Sequence, residues 1–148
     1  MSDHPHILLA GCGKMGTAMV LGWQRKFPGI EITVIEPNDI SGLPQINHLR
    51  SADELPANFA PTIVVLAVKP QVMREACDLL NLKLAPGVPI LSIAAGKSLD
   101  SYARIFGLNR PVMRAMPNTP AAIGHGITVV CANPEITALH KHLATDLL

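Results

Sequence analysis

Three glycines in the order Gly11-Cys12-Gly13-Lys14-Met15-Gly16 stand directly after an apolar run, His6 to Ala10, and directly before a stretch of helical period. That spacing suits paired phosphates. A residue without a β-carbon permits a tight turn at the first position and lets backbone approach a pyrophosphate at the second. At the third it lets the helix pack close to the strand. The first amides of the helix have no partners within it and carry a partial positive charge, which favours an anion. A plain turn is the alternative, but a strand before, a helix after and a second apolar run at Ile32 to Ile35 favour binding. Cys12 and Met15 lie within the loop, and Lys14 there either reaches the phosphates or points into water.

Glu36 directly follows the second run, twenty residues beyond Gly16. An acidic side chain there can bind the adenosine ribose hydroxyls of NAD and would repel the 2′-phosphate of NADP. It could equally be a carboxylate at the solvent end of a strand. Arg25, Lys26 and Arg50 offer charge to a 2′-phosphate if the loop folds back, so NADH and NADPH both stay open, with a lean to NADH.

Two further strand ends could meet such a cofactor. Ala67-Val68-Lys69-Pro70 closes the run Ile63 to Val68, and Ala94-Ala95-Gly96 closes the run Pro89 to Ala94. Ligands of open α/β sheets settle at the carboxyl ends of strands, and small residues there leave room for a flat nicotinamide ring. Two ordinary turns, with Lys69 a solvated charge, are the alternative. At a third rim position, Pro117 and Pro120 hold Asn118 and Thr119 on a stiff loop. His125 beyond it reads as structural.

The elements that must position these residues are short apolar runs separated by helical segments. Besides those named, runs span Val112 to Met116 and Ile127 to Cys131. Runs without polar alternation imply strands covered on both faces, hence an α/β domain of the Rossmann type, doubly wound on a mainly parallel sheet. Residues 14–27 predict a helix with Met15, Met19, Gly22 and Trp23 on its apolar stripe, ending at Pro28-Gly29. A second helix is expected over 70–83 with Val72, Met73, Ala76, Leu79 and Leu80 facing inward, a third from Ser98 to Gly107, and a fourth from Pro134 onward. Pro37 to Pro61 carries four prolines and reads as loop with one helical turn near "SADEL".

At 148 residues, one domain spanning 1–148 is the expectation. Apolar residues make up 49% and aromatic ones only 3%, so the core must come from aliphatic side chains. A net charge of +1 without a basic stripe argues against nucleic acid. Cys12, Cys77 and Cys131 lack metal or disulfide spacing and suit reduced thiols. No run approaches the about 18 apolar residues of a membrane span, and no secretory leader is evident, so a soluble cytoplasmic protein is expected.

The stretches "GCGKMG", "LAVKPQVM", "SIAAGKSLD" and "RAMPNTPAAIGHGIT", in that order, resemble pyrroline-5-carboxylate reductase over most of residues 7–130. The resemblance implies hydride transfer from NADPH or NADH to the C=N carbon of 1-pyrroline-5-carboxylate, giving L-proline. It also implies cofactor contacts from Gly11 to Gly16, Ala67 to Pro70 and Ala94 to Gly96, with Asn118 near the nicotinamide. The family continues into a helical C-terminal domain that dimerises and carries the main catalytic and substrate residues. This chain ends at Leu148, so the expectation is the cofactor-binding half of a homo-oligomeric enzyme, inactive alone. A non-catalytic nucleotide-binding module, or a related imine or deazaflavin reductase, are the alternatives.

Overall fold

The computed structural model describes residues 4–117 and 128–148. Seven strands form one sheet: β1 (His6–Ala10), β2 (Glu31–Ile35), β3 (Asn47–Leu49), β4 (Ile63–Leu66), β5 (Ile90–Ser92), β6 (Val112–Pro117) and β7 (Thr128–Ala132). Their order is β3-β2-β1-β4-β5-β6-β7. The first six run parallel and β7 runs antiparallel to β6. Only residues 118–127 join β6 to β7, fewer than a parallel crossover needs.

Because successive strand residues face opposite ways, β1 feeds two cores. Leu8 and Ala10 join Leu66, Met73, Leu80 and Tyr102 on one face, under α2 (Met73–Lys83) and α3 (Leu99–Phe106). Ile7 and Leu9 join Val20, Trp23 and Leu147 on the other, under α1 (Lys14–Lys26) and α4 (Ala138–Leu147). The strands β1, β2, β4 and β5 are therefore covered on both faces, as unalternated apolar runs require, whereas β7, at the sheet edge, leaves Val129, Val130 and Cys131 exposed despite its apolar run. Trp23 closes the second core: it is 2% exposed, and its indole N–H donates to the Leu147 carbonyl at 2.8 Å.

Helix ends follow local chemistry. Ser98 caps α3 by accepting from the Ser101 amide at 3.1 Å, and Gly107, at φ +87°, ends it. Thr137 caps α4, whose first turn begins a few residues after Pro134. Pro70 opens a 3-10 turn, Pro70–Val72, ahead of α2.

Three expectations change. The stripe of α1 is Gly16, Val20 and Trp23, with Met19 half-buried, because Gly16 must face the loop before it and so sets the rotation of the helix. On α2, Cys77 takes the inward place expected of Val72, which is 49% exposed. The stretch from Pro37 to Pro61 contains β3, paired parallel with β2, besides the expected turn at Ala52–Glu54 capped by Ser51.

All three cysteines are free: Cys131 is exposed, Cys12 half-buried and Cys77 buried. Burial pushes the Cys77 thiol up to about 12, and the Asp78 charge adds to the effect. Since the thiolate is the reactive form, a disulfide reagent at pH 8 should label Cys131 first, Cys12 more slowly and Cys77 only after denaturant is added. Labelling of native Cys77 as fast as Cys131 would contradict the packing of α2. Among the described residues, no helix is long and apolar enough to cross a membrane. No group of three His, Cys, Asp or Glu side chains there could hold a metal.

Candidate functional site

The carboxyl ends of β1, β2, β4 and β5 are tied into one rim. The Gly11 amide donates to Ile35 O at 2.9 Å, the Ala67 amide to Ala10 O at 2.8 Å and the Ile93 amide to Leu66 O at 3.0 Å. β1 pairs with β2 on one side and β4 on the other, and the chain winds out through β2 and β3 before crossing back to β4, so a crevice opens where the winding reverses. Such a switch point is where open α/β sheets bind ligands.

Each glycine of the loop has a distinct steric reason. Gly11 holds φ +88°, and a β-carbon there would lie 2.8 Å from the backbone of Ala67 and Val68. A β-carbon on Gly16 would lie 2.9 Å from Gly11 O. These two glycines bring the first turn of α1 against the ends of β1 and β4. Gly13 is different: a β-carbon there meets nothing within 4 Å, so this is open space beside the start of α1. No side chain caps that start, and no acidic residue stands in the first turn of α1. Unpaired amides, an open backbone face and the positive end of a helix dipole fit the phosphates of a dinucleotide.

Glu36 closes the cradle on the β2 side. Its Oε2 accepts from the Cys12 amide at 2.9 Å, and its Oε1 accepts from the Asn38 amide at 3.1 Å and side chain at 3.0 Å. Partial burial raises its pKa, but these hydrogen bonds and the nearby His48 outweigh it, and the carboxyl sits below its ordinary range. A carboxylate charge thus stands beside the glycine loop at neutral pH. Cys12 responds oppositely: burial and the Glu36 charge push its thiol up against a hydrogen bond with Thr17 at 3.6 Å.

Gly11, Cys12, Gly16, Glu36, Ala67 and Val68 are therefore brought together by direct contacts, with Gly13 in the same loop as the N-cap of α1. Lys14 and Lys69 are exposed, and Met15 is half-buried in the first turn of α1. Pro70 and Ala94, Ala95 and Gly96 follow β4 and β5 on the same rim, and Gly96 holds φ +76°. Asn118, with Thr119, Pro120 and His125, lies outside the described residues.

The alternative phosphate ligands fare differently. Arg25 and Lys26 occupy the last turn of α1, about 18 Å from the loop by helix rise, and Lys26 bonds Asp146 O at 2.6 Å. They cannot reach the adenosine end of the cradle. Arg50 does fold back to it, but its guanidinium is bound to Pro37 O at 2.8 Å and paired with Asp39. Asn38, Asp39 and His48 carried no signal in the sequence beyond following Glu36, because β3 is needed to bring His48 and Arg50 alongside.

Residues 6–96 match the family described as NADP oxidoreductase coenzyme F420-dependent, which is more than half of the chain. The chain belongs to this family. It is 35% identical over 150 residues to pyrroline-5-carboxylate reductase of Pseudomonas aeruginosa, covering 97% of this chain and 54% of that protein. To the Escherichia coli pyrroline-5-carboxylate reductase it is 37% identical over 134 residues, 86% of this chain and 49% of that one. The chain thus spans about half the length of the curated relatives it matches. Its fold is that of the Plasmodium falciparum pyrroline carboxylate reductase solved with NADP bound. That match has a TM-score of 0.80 at 23% identity, over 99% of this chain and 55% of that one. The resemblance carried by the four sequence stretches agrees with these relatives.

Proposed function

We propose that this chain is the cofactor-binding half of a pyrroline-5-carboxylate reductase, which passes a hydride from a reduced nicotinamide dinucleotide to 1-pyrroline-5-carboxylate to give L-proline. One observation carries the reading: the open backbone at Gly13 and the uncapped start of α1, in a chain aligned almost end to end with such reductases. Gly11 to Gly16 would receive the pyrophosphate, Ala67 to Pro70 and Ala94 to Gly96 would lie along the cofactor, and Asn118 would approach the nicotinamide. When bound, the dinucleotide supplies the hydride. The chain's part is to position it and to keep water from the reacting face, which suits a protonated imine that is already electrophilic. Side chains that contact the substrate belong, in this reading, to the half of a homo-oligomeric enzyme outside this chain.

The cofactor is NADH in preference to NADPH. Glu36 stands as an anion where the adenosine ribose would lie, and Arg50 beside it is already matched by Asp39. A 2′-phosphate would meet an uncompensated negative charge. The relative solved with NADP bound marks the contrast to be tested.

Titration of both reduced cofactors, read from quenching of the sole tryptophan, Trp23, should give at least about tenfold tighter binding of NADH. Equal or tighter binding of NADPH would remove Glu36 from this role. Because the Glu36 carboxyl is held low, the preference should persist through neutral pH and fade only as acid protonates it. The substrate is tested separately by NADH-dependent proline formation with the complete enzyme. Reduction of other cyclic imines with no turnover of 1-pyrroline-5-carboxylate would overturn that assignment.

A further inference from the structure

On the face opposite α1, where α2 and α3 pack together, lies a cavity of about 170 Å³. Its floor includes Met73 and Tyr102, both buried, and its walls include Arg74, Lys97, Ser101 and Arg104. Three cations and no carboxylate line it. Arg74 shares its charge with Asp78 on the same helix, at 3.2 Å. Lys97 is half-buried, and among the described residues neither Lys97 nor Arg104 has a hydrogen-bond or ion-pair partner.

Cations gathered in one concavity repel each other. An anion from solution reverses that cost. With Arg74 matched by Asp78, two charges remain, which suits a dianion. Guanidinium groups offer paired donors that fit phosphate oxygens, and a phosphate monoester carries close to two charges at neutral pH. We propose that this pocket binds a phosphate dianion, either inorganic phosphate or the monoester of a small metabolite, through Lys97 and Arg104 with Arg74 at the rim. Lys97 directly follows Ala94-Ala95-Gly96, so a phosphate that holds Lys97 also restrains that loop and tightens dinucleotide binding. The second effect rests on the proposed function; the first does not.

The test is calorimetric titration of the complete protein with inorganic phosphate at constant ionic strength and without dinucleotide. A Gly13→Val background keeps phosphate from the glycine cradle. Saturable binding is expected, weakened at least about tenfold by Lys97→Met and by Arg104→Met. Unchanged urea midpoints would show that both variants stay folded. A parallel titration with glycerol phosphate distinguishes the sources: tighter binding marks a monoester, weaker binding marks inorganic phosphate. In protein with native Gly13, where phosphate also competes at the glycine cradle, saturating phosphate should leave NADH bound more tightly than it does in Lys97→Met, in which only the competition remains. Absence of saturable phosphate binding, or binding indifferent to both substitutions, overturns the site. Phosphate binding with the same effect on NADH in the native and Lys97→Met proteins overturns the coupling. If NADH fails to bind at all, the proposed function fails while the phosphate arm still stands.

Discussion

Gly13→Val should cut dinucleotide affinity at least about 100-fold, roughly 2.7 kcal/mol, while leaving the fold unchanged. The two halves of that expectation have one cause. Gly13 has φ −78° and ψ −154°, an extended conformation with negative φ, and its added β-carbon would meet no protein atom within 4 Å. The added atoms enter the space where the backbone must come up to the pyrophosphate. They would also shield the amides at the start of α1, which no side chain caps. Equilibrium titration with NADH, beside urea unfolding in its absence, measures both quantities. Wild-type affinity in a folded Gly13→Val protein would remove the cradle, and with it the proposed function.

Gly11→Ala should do the reverse, damaging stability before it affects any ligand. Its φ of +88° is unfavourable for any residue with a β-carbon, and that carbon would lie 2.8 Å from the backbone of Ala67 and Val68. Main-chain atoms in the middle of a sheet cannot swing aside as a side-chain tip can. Left-handed strain and overpacking together predict a loss of roughly 2–5 kcal/mol. A domain of this size has a net stability of only about 5–15 kcal/mol, so the urea midpoint should fall sharply. An unchanged midpoint would mean that β1 and β4 are not held as close as the Gly11–Ala67 contact requires.

These glycines also show why the geometry of the loop is legible in the sequence. The requirement they meet is the absence of an atom, it is local, and the residue type records it directly. The same holds for the central strands β1 and β4, which are buried on both faces and so appear as apolar runs. β3 has only the residues Asn-His-Leu, partly exposed at the sheet edge, and exists because of hydrogen bonds from remote residues. One runs from the Glu36 amide to Leu49 O and another joins the His48 ring to Glu36 O. The spacing that singled out Glu36 could not reveal that Asn38 and the Cys12 amide already hold its carboxylate. Nor could helical period alone orient α1, since the contact of Gly16 with Gly11 decides which residues turn inward. Arg25 and Lys26 remained candidates for a phosphate only until the direction of α1 carried them away from the loop.

The bond between the Trp23 indole and Leu147 O joins residues 124 positions apart. On a ribosome the chain appears from its amino end, and domains generally fold as units while synthesis proceeds. α1 is made early, yet the groove that receives its largest side chain is not complete until α4 has emerged. Until then the indole stays in water, and a nascent chain arrested before residue 138 has emerged should resist a protease less well than one arrested after residue 148 has emerged.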